Sequence, residues 1–87
     1  MADQDPEILR AAIFEALENQ LRDNSPPETR ETLDRLLAEG FPKNEAKRLI
    51  ACALSAEIFA VMKSGKPSDP ARYIGYLKKL PAMPWEE

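Results

Sequence analysis

Four glutamates are the residues of this sequence whose type and spacing could support chemistry. Carboxylates that converge inside a helical bundle can bind a hard metal ion or act as an acid and a base. Di-metal bundles add a Glu-x-x-His motif, however, and the chain of 87 residues contains no histidine. The same absence excludes Cys/His zinc sites and His-based triads within one chain. The sequence therefore predicts a protein that is not an enzyme, with no cofactor and no metal site. The glutamates are Glu15, Glu18, Glu45 and Glu57.

Two polar side chains fall on faces that are otherwise apolar. Glu57 lies between two apolar stripes of a long helical segment. A carboxylate buried there without a partner would lower the free energy of unfolding by several kcal/mol. We therefore expect an Arg or Lys to meet it at the rim of the core. Gln20 lies within the apolar arc of the first helical segment, so its amide should hydrogen-bond to groups left free at a nearby helix end. Gln20 and Asn19 are expected to fasten the corner before Ser25 rather than to bind a ligand.

Cap signals and apolar periodicity predict the elements that position these residues. Asp5-Pro6 and Asp69-Pro70 are typical helix starts, and Ser25 with Glu28 fits a capping box. Gly40 is suited to a left-handed helix end. No strand pattern is present, so the sequence predicts an all-α fold with short loops. The expected helices span about residues 6–22, 26–39, 43–63 and 69–80.

The third segment carries two adjacent apolar stripes and is expected to be central. Alanine dominates the first stripe, which would let another helix approach closely. Such a helix is apolar over more of its circumference than one short helix can cover, which predicts a homodimer. Ala53→Leu would test the prediction, because added bulk in the alanine stripe would force the packed helices apart. The alanine stripe is Ala46, Leu49, Ala53, Ala56 and Ala60; the bulky stripe is Ile50, Leu54, Ile58 and Val61.

Length and composition indicate one domain, 1–87, with residues 1–4 and 81–87 loosely ordered; Met83 and Trp85 in this tail either fold back onto the core or lie free. Hydrophobic residues make up 44 % and charged residues 31 %, as in folded soluble proteins. No apolar run is long enough to span a membrane, and the acidic start does not resemble a signal peptide, which predicts a cytoplasmic protein with no membrane partner. The single cysteine, Cys52, lies in the uncharged run LIACALSA and is expected to act as a small apolar group.

Charge is unevenly distributed along the chain. Residues 1–40 hold ten acids against four arginines, whereas residues 41–85 hold eight bases against three acids, within a total of -3. The two halves are expected to pack together and complement each other. A basic face that binds nucleic acid is the alternative, in which LLAEGFPKNEAKRLI forms a helix-turn-helix motif. The upstream acids and the charges of Arg35 and Glu39 argue against it. Its basic residues would be Lys43, Lys47, Arg48, Lys78 and Lys79.

The same turn is similar to the first loop of ubiquitin-associated domains, which carry a Met-Gly-Phe or Met-Gly-Tyr signature followed by Glu-Ala. Gly40-Phe41 and Glu45-Ala46 match that pattern, while Glu39 replaces the apolar residue before the glycine. The resemblance implies that Phe41 contacts a protein partner through an exposed apolar loop.

A broader pattern, over about residues 14–61, resembles a group of small bacterial helical proteins classed as a domain of unknown function. That group reads with histidines where this chain has Phe14, Asn44 and Arg48, so a metal role does not carry over. The resemblance implies a helical fold and no particular activity. The matching residues are Glu18-Asn19-Gln20-Leu21, Pro26-Pro27-Glu28, Thr32, Arg35-Leu36, Glu39-Gly40 and Glu45-Ala46.

Together these observations predict a non-catalytic protein–protein interaction module that forms a homodimer. A ubiquitin-associated-like binding domain, a nucleic-acid-binding domain and a carboxylate metal-binding protein are the alternatives. The candidate partner-binding residues are Phe41, Lys43, Lys47 and Arg48.

Overall fold

The computed structural model of the protein describes residues 6–83 and contains four α-helices. The predicted all-α class with four helices is confirmed, and each predicted boundary lies within one residue of the observed one. The expectations for residues 1–4 and for Trp85 lie outside the described residues. Pro81 to Met83 are described, and Met83 packs partly buried against the core. The helices are α1 (Pro6–Asp23), α2 (Pro27–Ala38), α3 (Lys43–Ser64) and α4 (Pro70–Lys79).

One hydrophobic core holds the four helices together, and α3 contacts each of the other three. Every helix contributes at least one leucine or isoleucine that is fully or almost fully buried. Within residues 6–83, no helix combines the length and the hydropathy needed to cross a membrane. The largest fully buried side chains are Leu17, Leu36, Ile50, Leu77, Leu80 and Thr29.

Over the first half of α3 both apolar stripes face their own chain, whereas their later members, Ala56, Ile58, Ala60 and Val61, are half-buried. Ala46 and Ala53 have no exposed surface, and Ile50 and Leu54 of the bulky stripe are equally part of the core. The small side chains leave room for the neighbouring helices of the same chain, so Ala53→Leu would overpack the core of one chain. It is therefore not a specific probe of a homodimer, contrary to the expectation from the sequence.

Glycine ends two of the helices as the sequence predicts. The N–H of Gly40 donates to Leu37 O (3.0 Å) and that of Phe41 to Leu36 O (3.1 Å), a Schellman arrangement with Gly40 at a φ of +103°. Gly65, at a φ of +71°, closes α3 through a bond to Val61 O. These caps fix the exit direction of α2 and of α3.

Of the helix-start signals at α2 and α4, the one for α4 is predicted correctly and the one for α2 is not. The carboxylate of Asp69 accepts from the N–H groups of Ala71 and Arg72 at the start of α4. The prediction of a capping box at α2 is wrong. The helix begins at Pro27, its N-cap is Pro26, and no side chain forms a capping hydrogen bond. Ser25 thus lies one residue too early to cap the helix.

Candidate functional site

Glu57 is a buried carboxylate that binds the start of α4. Its side chain is 4 % exposed, and Arg72 approaches it with two nitrogens, Nε 2.7 Å from Oε1 and Nη2 2.9 Å from Oε2. Oε2 also accepts from the backbone N–H of Asp69 (2.9 Å) and the hydroxyl of Ser68 (3.2 Å). Arg72 is thus the basic partner expected at the rim of the core. With four hydrogen bonds the carboxylate is satisfied and serves to attach α4 to α3.

Charged side chains meet α4 at both of its ends. Glu57 lies at the N-terminal end, and Arg35 of α2 donates from Nη2 to Leu77 O (3.0 Å) at the C-terminal end. Arg35 also binds Glu39 (2.9 Å), the C-cap residue that follows α2. A negative charge at a helix start and a positive charge at a helix end both interact favourably with the helix dipole. The ten-residue helix is therefore held in place by ionic contacts as well as by apolar burial.

The ionisation of Glu57 predicts how the stability of the fold depends on pH. The hydrogen bond from Arg72 holds the pKa of the Glu57 carboxyl below its ordinary value of 4.5, and the N–H of Asp69 adds to this, against the opposing effect of burial. Because the folded-state pKa is lowered, this stabilisation is present above pH 4.5 and is lost as the pH falls through the folded-state pKa. Urea unfolding should show Glu57→Gln costing more at about pH 7 than at about pH 2. An equal cost at both pH values would contradict it.

Gln20 belongs to a polar cluster that joins three helices. Its Oε1 accepts from the hydroxyls of Thr29 on α2 and Tyr73 on α4, each at 2.9 Å. The partners are thus side chains rather than the free backbone groups expected from the sequence. Burial raises the pKa of the Tyr73 hydroxyl above its ordinary value of 10.0, so it remains protonated and donates. With these partners in place, Gln20 has a structural role.

The candidate partner-binding residues differ in their exposure and in their charge pairing. Lys47 Nζ lies 2.6 Å from Glu18 Oε2 on α1, and Arg48 Nη2 lies 2.6 Å from Glu45 Oε2 on its own helix. Phe41 is half-buried against the core, unlike the exposed loop residue that the ubiquitin-associated resemblance implies. Lys43 is exposed. Two of the three basic side chains are thus already paired with acids.

The four glutamates that could have converged are either exposed or engaged in individual ion pairs. Glu15 is exposed on α1, whereas Glu18, Glu45 and Glu57 each pair with a different basic side chain. Across residues 6–83 there is no group of three acidic or cysteine side chains able to hold a metal ion. The arrangement of these carboxylates is that of ion pairs.

The side of α3 that faces away from the core exposes two large apolar residues. Phe59 is 56 % exposed and Met62 is 71 % exposed. Cys52, Ser55, Phe59 and Met62 follow one another at spacings of three, four and three residues, so the four side chains lie along one stripe of the helix. Cys52 and Ser55 are half-buried. We refer to Cys52, Ser55, Phe59 and Met62 as the outer stripe.

A groove between α1 and α3 borders the outer stripe. Its volume is about 340 Å³, its walls are mainly apolar, and the Arg10 guanidinium lies 6.0 Å from the centre of the Phe14 ring. Cys52 and Ser55 belong to both the groove and the outer stripe. The groove is lined by Leu9, Arg10, Ile13, Phe14, Arg48, Ala51, Cys52 and Ser55.

The apolar pattern of α3 predicts two stripes and does not include this third one. The signal was present, since Cys52, Ser55, Phe59 and Met62 recur with the three-and-four spacing of a helix–helix contact. It was hidden because a serine and a cysteine interrupt the stripe, so its hydrophobicity is lower than that of its neighbours. Only the buried positions of the other two stripes reveal that this one faces outward.

Comparison with known proteins does not indicate a function for this site. No protein-family model matches the chain, and comparison with curated proteins and with solved structures gives no significant match.

Proposed function

We propose that this protein is a non-catalytic interaction module that forms a homodimer through the outer stripe and the α1–α3 groove. The observation that carries the proposal is the exposure of Phe59 (56 %) and Met62 (71 %) on the outer stripe of α3. Large apolar side chains that are exposed next to an apolar groove are typical of surfaces that bind another protein.

A second copy of this chain is the partner that fits the surface. Phe59 projects from α3 two turns beyond Cys52, which lines the groove, and seven residues of helix correspond to about 10 Å. A two-fold axis near Ser55, midway between them, would place Phe59 of each copy against the groove of the other. Such a contact is self-complementary, as a symmetric dimer requires.

The size of the chain gives a second reason. A domain of 87 residues buries only about two thirds of its unfolded surface, so it has little core to spare. Covering a fully exposed phenylalanine contributes about 2 kcal/mol, so covering the exposed 56 % of Phe59 contributes about 1 kcal/mol in each copy, to which Met62 adds. Association would thus add substantially to a modest core.

Pairing of the acidic residues supports the non-catalytic part of the proposal. Glu18, Glu45 and Glu57 each bind a basic side chain, so these carboxylates have structural partners within the chain. We also propose a cytoplasmic location, because a chain with one cysteine lacks the disulfide framework on which small secreted domains commonly depend.

Sedimentation velocity of Phe59→Asp against the native protein tests the proposed interface. The native chain should sediment at twice the monomer mass of 9.8 kDa at about 100 μM, and Phe59→Asp should sediment as the monomer because the dimer would bury two unpaired carboxylates. Leu37→Asp, which changes an exposed leucine on α2, is the matched control and should remain dimeric. A native protein that stays at 9.8 kDa at all concentrations would refute the dimer.

Cross-linking adds a test of the two-fold axis. In a Cys52→Ala background, Ser55→Cys should form a disulfide dimer on oxidation because the two thiols would face each other near the axis. Ser64→Cys, at the exposed end of α3, should cross-link far less. Equal cross-linking of the two variants would place the axis elsewhere.

A further inference from the structure

We propose that a polar cavity among α1, α2 and α3 binds the phosphate group or diphosphate group of a small molecule. The cavity has a volume of about 200 Å³ and lies at the C-terminal end of α1 and the N-terminal end of α3. It is separate from the outer stripe and does not depend on the proposed dimer. We call it the basic cavity; its lining is Glu18, Leu21, Arg22, Arg30, Leu33, Lys43 and Lys47.

Positive charge is concentrated in this cavity although the chain as a whole carries -3. Four basic side chains line it; Lys47 is paired with Glu18 and Arg22 with Asp23, whereas Arg30 and Lys43 form no ion pair within residues 6–83. Two of the bases, Arg22 and Arg30, come from the half of the sequence that is acidic overall. A concave surface with charge of one sign concentrates its electrostatic field and raises the local concentration of oppositely charged ligands.

Two of the basic side chains are held in position by contacts that leave other donors unused. Arg30 Nη2 donates to Leu21 O (3.3 Å), which occupies one of the five N–H groups of a guanidinium. Lys47, with a side chain only 20 % exposed, uses one donor for Glu18. Because these side chains are already ordered, a ligand would order fewer groups on binding. The remaining N–H groups suit a phosphate, which accepts several charge-assisted hydrogen bonds.

Lys43 completes the basic charge of the cavity. It is exposed and forms no ion pair with any residue between 6 and 83, in contrast to Lys47 and Arg48. The cavity is smaller than the roughly 300–1,000 Å³ of sites that enclose a drug-sized molecule, so it matches an anionic group rather than a whole ligand. The leucines at its wall, Leu21 and Leu33, belong to the core and keep its shape.

Inorganic pyrophosphate is the probe that tests this site. Titration at low salt, followed by amide chemical shifts, should saturate with a Kd at or below about 1 mM and shift the amides of Arg30, Lys43 and Lys47. Lys43→Glu should weaken binding at least about tenfold, since it reverses a charge at the ligand. Lys78→Glu, an equal charge change on α4 outside the cavity, should change the Kd by less than about twofold.

Three results would overturn the proposal: titration without saturation, equal weakening by Lys43→Glu and Lys78→Glu, or tighter binding of a short DNA duplex through the same amides. The first two would indicate screening by bulk charge, and the third a nucleic-acid surface. Phe59→Asp should bind pyrophosphate as the native protein does, which separates this proposal from the dimer. The melting temperature of Lys43→Glu without ligand verifies that the variant is folded.

Discussion

Glu57→Ala is expected to lower the free energy of unfolding by about 3 kcal/mol. The substitution removes both hydrogen bonds from Arg72 and leaves the N–H of Asp69 without its acceptor at the start of α4. The expected cost is at the lower end for a buried ion pair because the Arg72 side chain is 36 % exposed and can be rehydrated. Urea unfolding followed by circular dichroism measures the change.

Glu15→Ala is the matched control for Glu57→Ala. It removes a carboxylate of the same type from an exposed position on α1 and should change the stability by no more than about 0.5 kcal/mol. If the two variants lost the same small amount, Glu57 would not be the attachment point of α4.

Tyr73→Ala is expected to be still more destabilising, at about 4 kcal/mol. The residue is 6 % exposed, belongs to the hydrophobic core and donates to Gln20 Oε1. Its replacement leaves a cavity where α4 meets the core and removes one of the two hydroxyls that Gln20 accepts from.

Tyr73→Phe separates the two parts of this effect. It keeps the ring and removes only the hydroxyl, so thermal or urea unfolding should show a loss of about 1 kcal/mol. Thr29 still donates to Gln20 in this variant. A Tyr73→Phe variant as unstable as Tyr73→Ala would mean that the polar cluster, and not ring burial, holds α4.

Local chemistry explains why so much of the fold follows from the sequence. Gly40, Gly65 and Asp69 act within a few residues of their own position, so their effect on a helix end can be predicted without knowledge of the rest of the chain. The wrong capping box has the same origin, since a shift of the helix start by one residue from Pro26 to Pro27 is enough to remove it.

Contacts between residues distant in sequence could be predicted only in part. The spacing around Glu57 predicts a basic partner, but several bases fit equally well, and the choice of Arg72 depends on how α4 packs on α3. Likewise, Tyr73 is 53 residues from Gln20. The basic cavity draws Arg22 and Arg30 from an acidic part of the chain, so net charge by segment conceals it.

The arginines of α2 bear on how the chain selects one topology. Apolar side chains pack equally well against a helix running in either direction, so an apolar pattern alone is compatible with several bundles of four helices. A guanidinium bound to a terminal carbonyl requires the correct end of the neighbouring helix, as for Arg30 at Leu21 O and Arg35 at Leu77 O. A bundle with α1 or α4 reversed would bury its leucines equally well but would lose one of these contacts. The two arginines thereby distinguish the native chain path from its near equivalents.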